Sequence, residues 1–264
     1  MKKTLLALSL ASASAPLFAA DYSDGDIHKN DYKWAQFNLM YAVNELPGES
    51  DHDYLEMEFG GRSGIFDLYG YVDVFNLTTS DSSDKDGASK MFMKFAPRVS
   101  LDALTGKDLS FGPVQEVYLA SLFNWGGGGT GDVNNAFVGL GSDITVPWLG
   151  KVGLNVYGLY DQNNKDWNGY QVSTNWFKPF YFFDNGSFFS YQGYIDYQFG
   201  MKDEYSSASS GGVMFNGIYW HSDRFAVGYG LKGFKDVYGL KDGEAWPGAV
   251  TTGFGHYFAV TYKI

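Results

Sequence analysis

Phe254-Gly255-His256-Tyr257-Phe258-Ala259-Val260-Thr261-Tyr262-Lys263-Ile264 is the stretch that decides the fold. In an extended chain Phe254, His256, Phe258, Val260, Tyr262 and Ile264 share one face, and Gly253, Gly255, Tyr257, Ala259, Thr261 and Lys263 share the other. Successive side chains of a strand point to opposite sides, so this period of two sets a bulky, mostly apolar row against a smaller, more polar one. The same period recurs upstream. Phe37, Leu39, Tyr41 and Val43 oppose Gln36, Asn38 and Met40, and Leu55, Met57 and Phe59 oppose Glu56 and Glu58. Phe189, Tyr191, Ile195 and Tyr197 oppose Ser190, Gln192, Asp196 and Gln198.

Twelve strands are expected on this criterion, over 33–43, 53–60, 64–76, 91–101, 113–123, 134–144, 151–160, 169–178, 187–199, 211–220, 225–234 and 253–264. The fifth and tenth mix polar and apolar residues on both faces. Odd-numbered strands are followed by polar stretches: Asn44–His52, Leu77–Lys90, Asn124–Val133, Asp161–Asn168, Gly200–Ser210 and Lys235–Thr252. Even-numbered strands are followed mostly by tight turns, at Gly61–Ser63, Thr145–Gly150 and His221–Arg224. Asp102–Gly112 is long for such a turn, and Pro179–Gly186 is rich in aromatic residues. Long connections on one side and short ones on the other characterise outer-membrane barrels. A chain that stops on an alternating strand resembles the closing strand of that group, whose last residue is usually Phe; here it is Ile264.

The start of the chain agrees with export. Lys2 and Lys3 precede an apolar run from Thr4 to Leu10, small residues follow, and acidic residues begin at Asp21. Residues 1–20 are expected to be a signal peptide and 21–264 a single outer-membrane barrel domain of a Gram-negative bacterium. A retained anchor is the alternative, but the run is far shorter than the roughly 20 residues that span a bilayer as a helix. Loss of residues 1–20 removes Lys2 and Lys3, so the net charge goes from −11 to −13. A balance this acidic argues against nucleic acid as a partner. The absence of cysteine excludes disulfides and thiolate metal sites.

Aromatic residues make up 19% of the chain and glycine supplies 34 residues, yet no run of 18 apolar residues follows the leader. Where only every second residue meets lipid, such a composition suits a membrane barrel with aromatic girdles. Each unpaired backbone group in hydrocarbon costs several kcal/mol, which requires the sheet to close. A soluble β-sandwich would carry fewer aromatic residues outside, and a lipocalin-like barrel of about eight strands would leave much of the chain over.

Enzyme and metal signatures are missing. Gly126–Gly129 is a glycine run without a following Lys-Ser or Lys-Thr, and is expected to be a loop tip rather than a phosphate cradle. No Gly-x-Ser-x-Gly elbow occurs. His28, His52, His221 and His256 lack a metal-ligand spacing. Asp84-Lys85-Asp86-Gly87 is only superficially like a calcium loop: Ser82 takes the first ligand place and Met93 stands where the bidentate Glu belongs. Asp81, Asp84 and Asp86 are expected to form a solvated acidic loop.

Phe66-Asp67-Leu68-Tyr69-Gly70-Tyr71-Val72-Asp73 sets the register. A carboxylate costs more toward lipid than in a wet lumen, so Asp67, Tyr69, Tyr71 and Asp73 are expected inside and Phe66, Leu68, Gly70 and Val72 outside. The same reasoning turns Lys94, Arg98 and Ser100 inward, with Met93, Phe95, Val99 and Leu101 outward, and places Glu116 and Tyr118 inside. The candidate pore-lining and substrate residues are therefore Glu56, Glu58, Asp67, Tyr69, Tyr71, Asp73, Lys94, Arg98, Glu116 and Tyr118.

Several stretches carry a resemblance. They are Tyr54–Glu58, Phe66–Asp73, Pro97–Asp102, Asp108–Pro113 with Glu116, Gly139–Ile144, Asn155–Tyr157 and Trp167–Tyr170, in order over most of 54–170. Through them the chain resembles the nucleoside-specific channel-forming (Tsx-like) family of outer-membrane proteins. The resemblance implies a monomeric twelve-stranded barrel with a narrow pore for nucleosides and deoxynucleosides, no cofactor, and outer loops used as a bacteriophage receptor that engages phage tail proteins. Tyr faces could stack on bases, and carboxylates and Arg could bind sugar hydroxyls. Two other functions stay open: a surface receptor or structural barrel in which Asp67, Asp73, Glu116, Lys94 and Arg98 merely neutralise one another, and, more remotely, a hydrolase.

Overall fold

The computed structural model describes residues 22, 24–78, 89–128 and 132–264. The expected signal peptide and the acidic loop at Asp81–Gly87 lie outside the described residues. The strands begin with β1 (Tyr32–Glu45), β2 (Ser50–Ser63), β3 (Phe66–Phe75), β4 (Met91–Phe95) and β5 (Arg98–Ser100). A short helix α1 (Leu101–Thr105) leads to β6 (Val114–Trp125), β7 (Asn134–Val146), β8 (Gly150–Asp161) and β9 (Asp166–Phe182). The chain ends with β10 (Phe188–Phe199), β11 (Ser210–His221), β12 (Phe225–Lys235) and β13 (Gly253–Lys263).

Strands consecutive in the chain pair antiparallel, except that β4 and β5 each pair with β3 and β6 rather than with one another, and β1 closes the sheet on β13 from Gln36↔Lys263 to Val43↔His256. Lipid therefore meets no open backbone edge. Thirteen segments make twelve staves, because β4 and β5 are one stave interrupted at Ala96-Pro97. Proline has no N–H for the ladder. The neighbours bridge the gap: Ala96 N donates to Tyr69 O at 2.8 Å, and Ser121 donates to Pro97 O through its backbone N (3.1 Å) and its hydroxyl (2.9 Å). The expected continuous strand 91–101 is corrected accordingly, and Leu101 belongs to α1 rather than to a lipid-facing row.

The strand ends differ from expectation in a consistent direction. Gly61–Ser63 belongs to β2, and the turn falls at Gly64 and Ile65. β9 continues through Phe182, so much of the aromatic stretch after Pro179 is strand. Hydrogen-bonded pairing simply persists past the point where apolar alternation fades. The long Asp102–Gly112 connection is also ordered. Ser100 caps α1 by accepting from Ala103 N at 3.0 Å, and buried Asp102 accepts from Leu109 N at 2.8 Å and Val117 N at 3.0 Å, which pins the connection to β6.

Alternation places Leu39, Leu140, Phe254, Phe258 and Val260 outside, each at least half exposed, and Ala42, Tyr118, Ala120 and Thr261 inside, all buried. Inside, bulk is shared between strands. Phe215 and Tyr219 of β11 lie over glycines of β12: a Cβ on Gly230 would fall 2.1 Å from the Phe215 ring, and one on Gly228 would fall 2.0 Å from the Tyr219 ring. The strand ends Phe75 and Met91, Phe199 and Ser210, and Lys235 and Gly253 share one rim, the external one, while the turns near 64–65, 147–149 and 222–224 mark the periplasmic rim.

Candidate functional site: the lumen

Inward-facing residues enclose a cavity of about 1410 Å³. Its lining reaches Pro47, Ser89 and Tyr205 at the external rim and Leu149, Lys178 and Arg224 at the periplasmic rim. Three storeys of polar groups divide it.

In the upper storey, Tyr257 donates to Glu45 at 2.9 Å, the Lys232 ammonium stands 3.8 Å from the same carboxylate, and His52 Nε2 lies 3.1 Å from its other oxygen. Above it the 236–252 connection is folded on Asp242, which accepts from the N–H groups of Thr251 (2.7 Å) and Thr252 (3.1 Å). Those donors favour the charged form and hold the Asp242 carboxyl below the ordinary carboxylate range.

The middle storey contains a bar across the lumen. Lys94 of β4 reaches Asp196 of β10, five staves away, with Nζ 3.0 Å from Oδ2. Ser173 donates to Asp196 at 2.6 Å. The ammonium lies 5.9 Å from the centre of the Tyr71 ring and 5.7 Å from that of Tyr194, and Tyr194 stacks on Phe215 with centroids 5.7 Å apart. Beside the bar, Glu56 accepts from Asn38 at 2.6 Å, and Glu58 accepts from Gln36 (2.6 Å), Asn38 (3.2 Å) and Tyr69 (2.8 Å). Among the described residues no cation lies within ion-pair distance of either glutamate, so both turn carboxyl oxygens to the cavity with only neutral donors attached.

The lower storey is a closed electrostatic floor. Arg98 lies 3.0 Å from both Asp67 and Asp143, and Lys151 lies 3.1 Å from Asp143. Arg62 forks onto Glu116 with two bonds of 2.8 and 2.6 Å, Ser100 donates to the same carboxylate, and Tyr22 reaches it at 3.2 Å. The Tyr118 hydroxyl stands within reach of Glu116 (2.7 Å) and Asp143 (3.1 Å), and its ring lies 3.9 Å from the Arg98 guanidinium.

Of the ten candidates, Glu56, Glu58, Asp67, Tyr69, Tyr71, Asp73, Lys94 and Arg98 border the cavity. Glu116 and Tyr118 face inward but are buried in the floor. The candidates meet one another in the Arg98–Asp67, Tyr69–Glu58 and Tyr118–Glu116 contacts, and where Arg98 lies over the Tyr118 ring and Lys94 over that of Tyr71. The ionic partners of Lys94 and Glu116, Asp196 and Arg62, lie outside the set. Asp196 stands on the polar face of its strand and was visible by that signal. Arg62 was hidden by its assignment to a turn, and Lys232 by the glycines around it.

Among the described residues this geometry is a lined tube without a reacting constellation. The family described as nucleoside-specific channel-forming protein, Tsx, matches residues 29–264. The chain belongs to this family. Outer membrane protein OmpK of Vibrio parahaemolyticus is 74% identical over 267 residues, spanning all of both chains. The nucleoside-specific channel-forming protein Tsx of Salmonella typhimurium LT2 is 31% identical over 288 residues, again spanning all of both. Among solved structures, the NanC porin shares 9% identity with a TM-score of 0.50, covering 87% of this chain and 100% of that one, a likeness of fold. As a member of the Tsx family the chain is an outer-membrane channel barrel and not an enzyme.

Proposed function

We propose that the chain conducts nucleosides passively across the outer membrane, and that its middle storey is where they bind. The observation that supports this most directly is the juxtaposition of Tyr71, Tyr194 and Phe215 rings with Glu56 and Glu58, whose carboxyl oxygens meet only neutral donors among the described residues. A base finds ring faces to stack on, and ribose hydroxyls find acceptors. Stacking contributes about 1–3 kcal/mol per base and each hydrogen bond about 1 kcal/mol net. One stacked base with two such bonds therefore reaches about 4 kcal/mol, a dissociation constant near ~1 mM. Binding of that strength concentrates the solute yet releases it, as conduction requires.

Of the named candidates, Glu56, Glu58, Tyr69 and Tyr71 are assigned to solute contact and Lys94 to the bar beside it. Asp67, Arg98, Glu116 and Tyr118 are assigned to the floor that shapes the path. Purified protein in planar bilayers should show small currents that millimolar nucleoside blocks and that an equal concentration of a hexose leaves unchanged. Equal currents with and without nucleoside would remove the assignment. The closed sheet, with no free edge to share, is consistent with a working monomer.

A second reading is that the external connections serve as a bacteriophage receptor. The ordered 236–252 connection, stapled by Asp242 to Thr251 and Thr252, offers a surface of defined shape. Exchange of that connection for a Gly-Ser linker should abolish adsorption while conductance persists. Adsorption that survives exchange of every external connection would dismiss this role.

A further inference from the structure

The lipid-facing surface carries a cleft that the channel does not use. Gly212 of β11 and Gly233 of β12 both stand in outward rows, and the register sets them on a diagonal: Gly212 opposite Lys235, Met214 opposite Gly233, and Gly233 opposite Phe254. On the other side Ile195 and Tyr197 oppose Met214 and Gly212. Two neighbouring positions without side chains open an apolar cleft of about 340 Å³, walled by Ile195, Tyr197, Met214 and Phe254 with Lys235 at its external end. That volume equals about eleven units of ~30 Å³, the share of one liquid water molecule and close to the size of a methylene group.

The two glycines are there for different reasons. A Cβ on Gly212 would fall 2.5 Å from the Asp196 carbonyl oxygen, so the sheet itself demands glycine. A Cβ on Gly233 would meet nothing nearer than 3.4 Å, an ordinary contact with the Phe254 ring. Glycine inside a strand weakens it and leaves nothing to pack. The sheet has no need of the gap at Gly233, which points to an occupant from outside the chain.

We propose that this cleft binds one acyl chain of a phosphorylated outer-leaflet glycolipid of the lipid A kind, with its phosphate on Lys235. The cleft opens toward lipid at the rim that carries the long connections, which places it in the outer leaflet. The Lys235 side chain is 69% exposed and its charge lies at the cleft's headgroup end. Its present partner is Asp236 at 2.7 Å. Only the lysine end of this pair is exposed; the Asp236 carboxylate is 13% exposed and also accepts from Asp242 N and the Thr252 hydroxyl, so it keeps donors when the ammonium turns to a phosphate in a charge-assisted bond.

The test uses the full barrel, stripped of native lipid in mild detergent and titrated with lipid A or with phosphatidylglycerol, with bound lipid counted by native mass spectrometry. One lipid A should be retained in preference to phosphatidylglycerol. Gly233→Leu, which fills the cleft, and Lys235→Gln should each lower its occupancy about tenfold, while pore conductance is unchanged because neither residue lines the lumen. Equal retention of the two lipids would overturn the proposal by assigning the cleft to ordinary phospholipid. Lipid A occupancy that withstands Gly233→Leu would overturn it as well. If the leucine variant fails to fold, Lys235→Gln decides: undiminished lipid A occupancy there refutes the phosphate contact and the proposal with it.

Discussion

Lys94→Met isolates what the bar across the lumen does. Methionine keeps most of the stem and removes the charge, leaving Asp196 with the Ser173 hydroxyl at 2.6 Å but no cation 3.0 Å away. A permeating cation 4 Å from that carboxylate gains about 4 kcal/mol at an effective dielectric constant of 20 and about 1 kcal/mol in bulk water. The Lys94 and Asp196 side chains are 17% and 19% exposed, facing a wet cavity, so the screened end of that range applies. An energy of about 1 kcal/mol is roughly fivefold in an equilibrium. The cation-over-anion permeability ratio should therefore rise about fivefold, read as a shift of the zero-current potential across a salt gradient in planar bilayers. The double variant Lys94→Met with Asp196→Leu removes one charge of each sign. Its ratio should return close to that of the parent, while both variants conduct more than the parent because the bar is gone from each. A single variant with an unchanged ratio, or a double variant that fails to revert, would refute the claim that this pair sets the field of the lumen.

Tyr194→Ala removes a ring that flanks the bar and should raise the nucleoside concentration needed for half-block by between about 5-fold and about 150-fold, the range that the loss of one stacking surface covers; current-noise titration measures it. Arg62→Met leaves Glu116 buried without its fork and should cost about 3–5 kcal/mol of stability, visible as a lower midpoint of urea unfolding in detergent. Asp242 has a depressed carboxyl pKa in the folded loop, so its contribution is present above its unfolded value and is lost as pH falls through the folded one. Protection of the Thr251 and Thr252 amides from hydrogen exchange, taken relative to the free-peptide rate at each pH, should accordingly fall only below about pH 4, and Asp242→Asn should show the lower protection at neutral pH as well.

Most of the barrel was legible because lipid imposes a strict rule on one face. Phe37, Leu39 and Tyr41 had to lie outside if Asn38 and Met40 lay inside, and the structure has them so. The rule is silent about the interior of a narrow barrel, where Leu122, Phe215 and Tyr219 fill space as usefully as polar groups do; the fifth and tenth strands were mixed for that reason. Placing Lys94, Arg98 and Asp67 inside followed from the cost of charge in lipid. Naming their partners did not, since Asp196 is 102 residues from Lys94 and Glu116 is 54 from Arg62. Alternation says which way a side chain points and nothing about which distant stave it meets. The interruption at Pro97 was visible as a residue, but its repair by the Ser121 hydroxyl depended on a neighbour whose register was still unknown.

The rings of Phe215 and Tyr219 resting on Gly230 and Gly228 bind the histories of two strands together. Any side chain larger than hydrogen at Gly230 collides with Phe215, and trimming Phe215 alone leaves a hole that water or solute would occupy. Tolerated change at these places must come as a matched exchange, with volume leaving β11 as it enters β12. Drift along this arc of the barrel should thus proceed in paired steps, and the bore it borders can be resized only by altering both members at once.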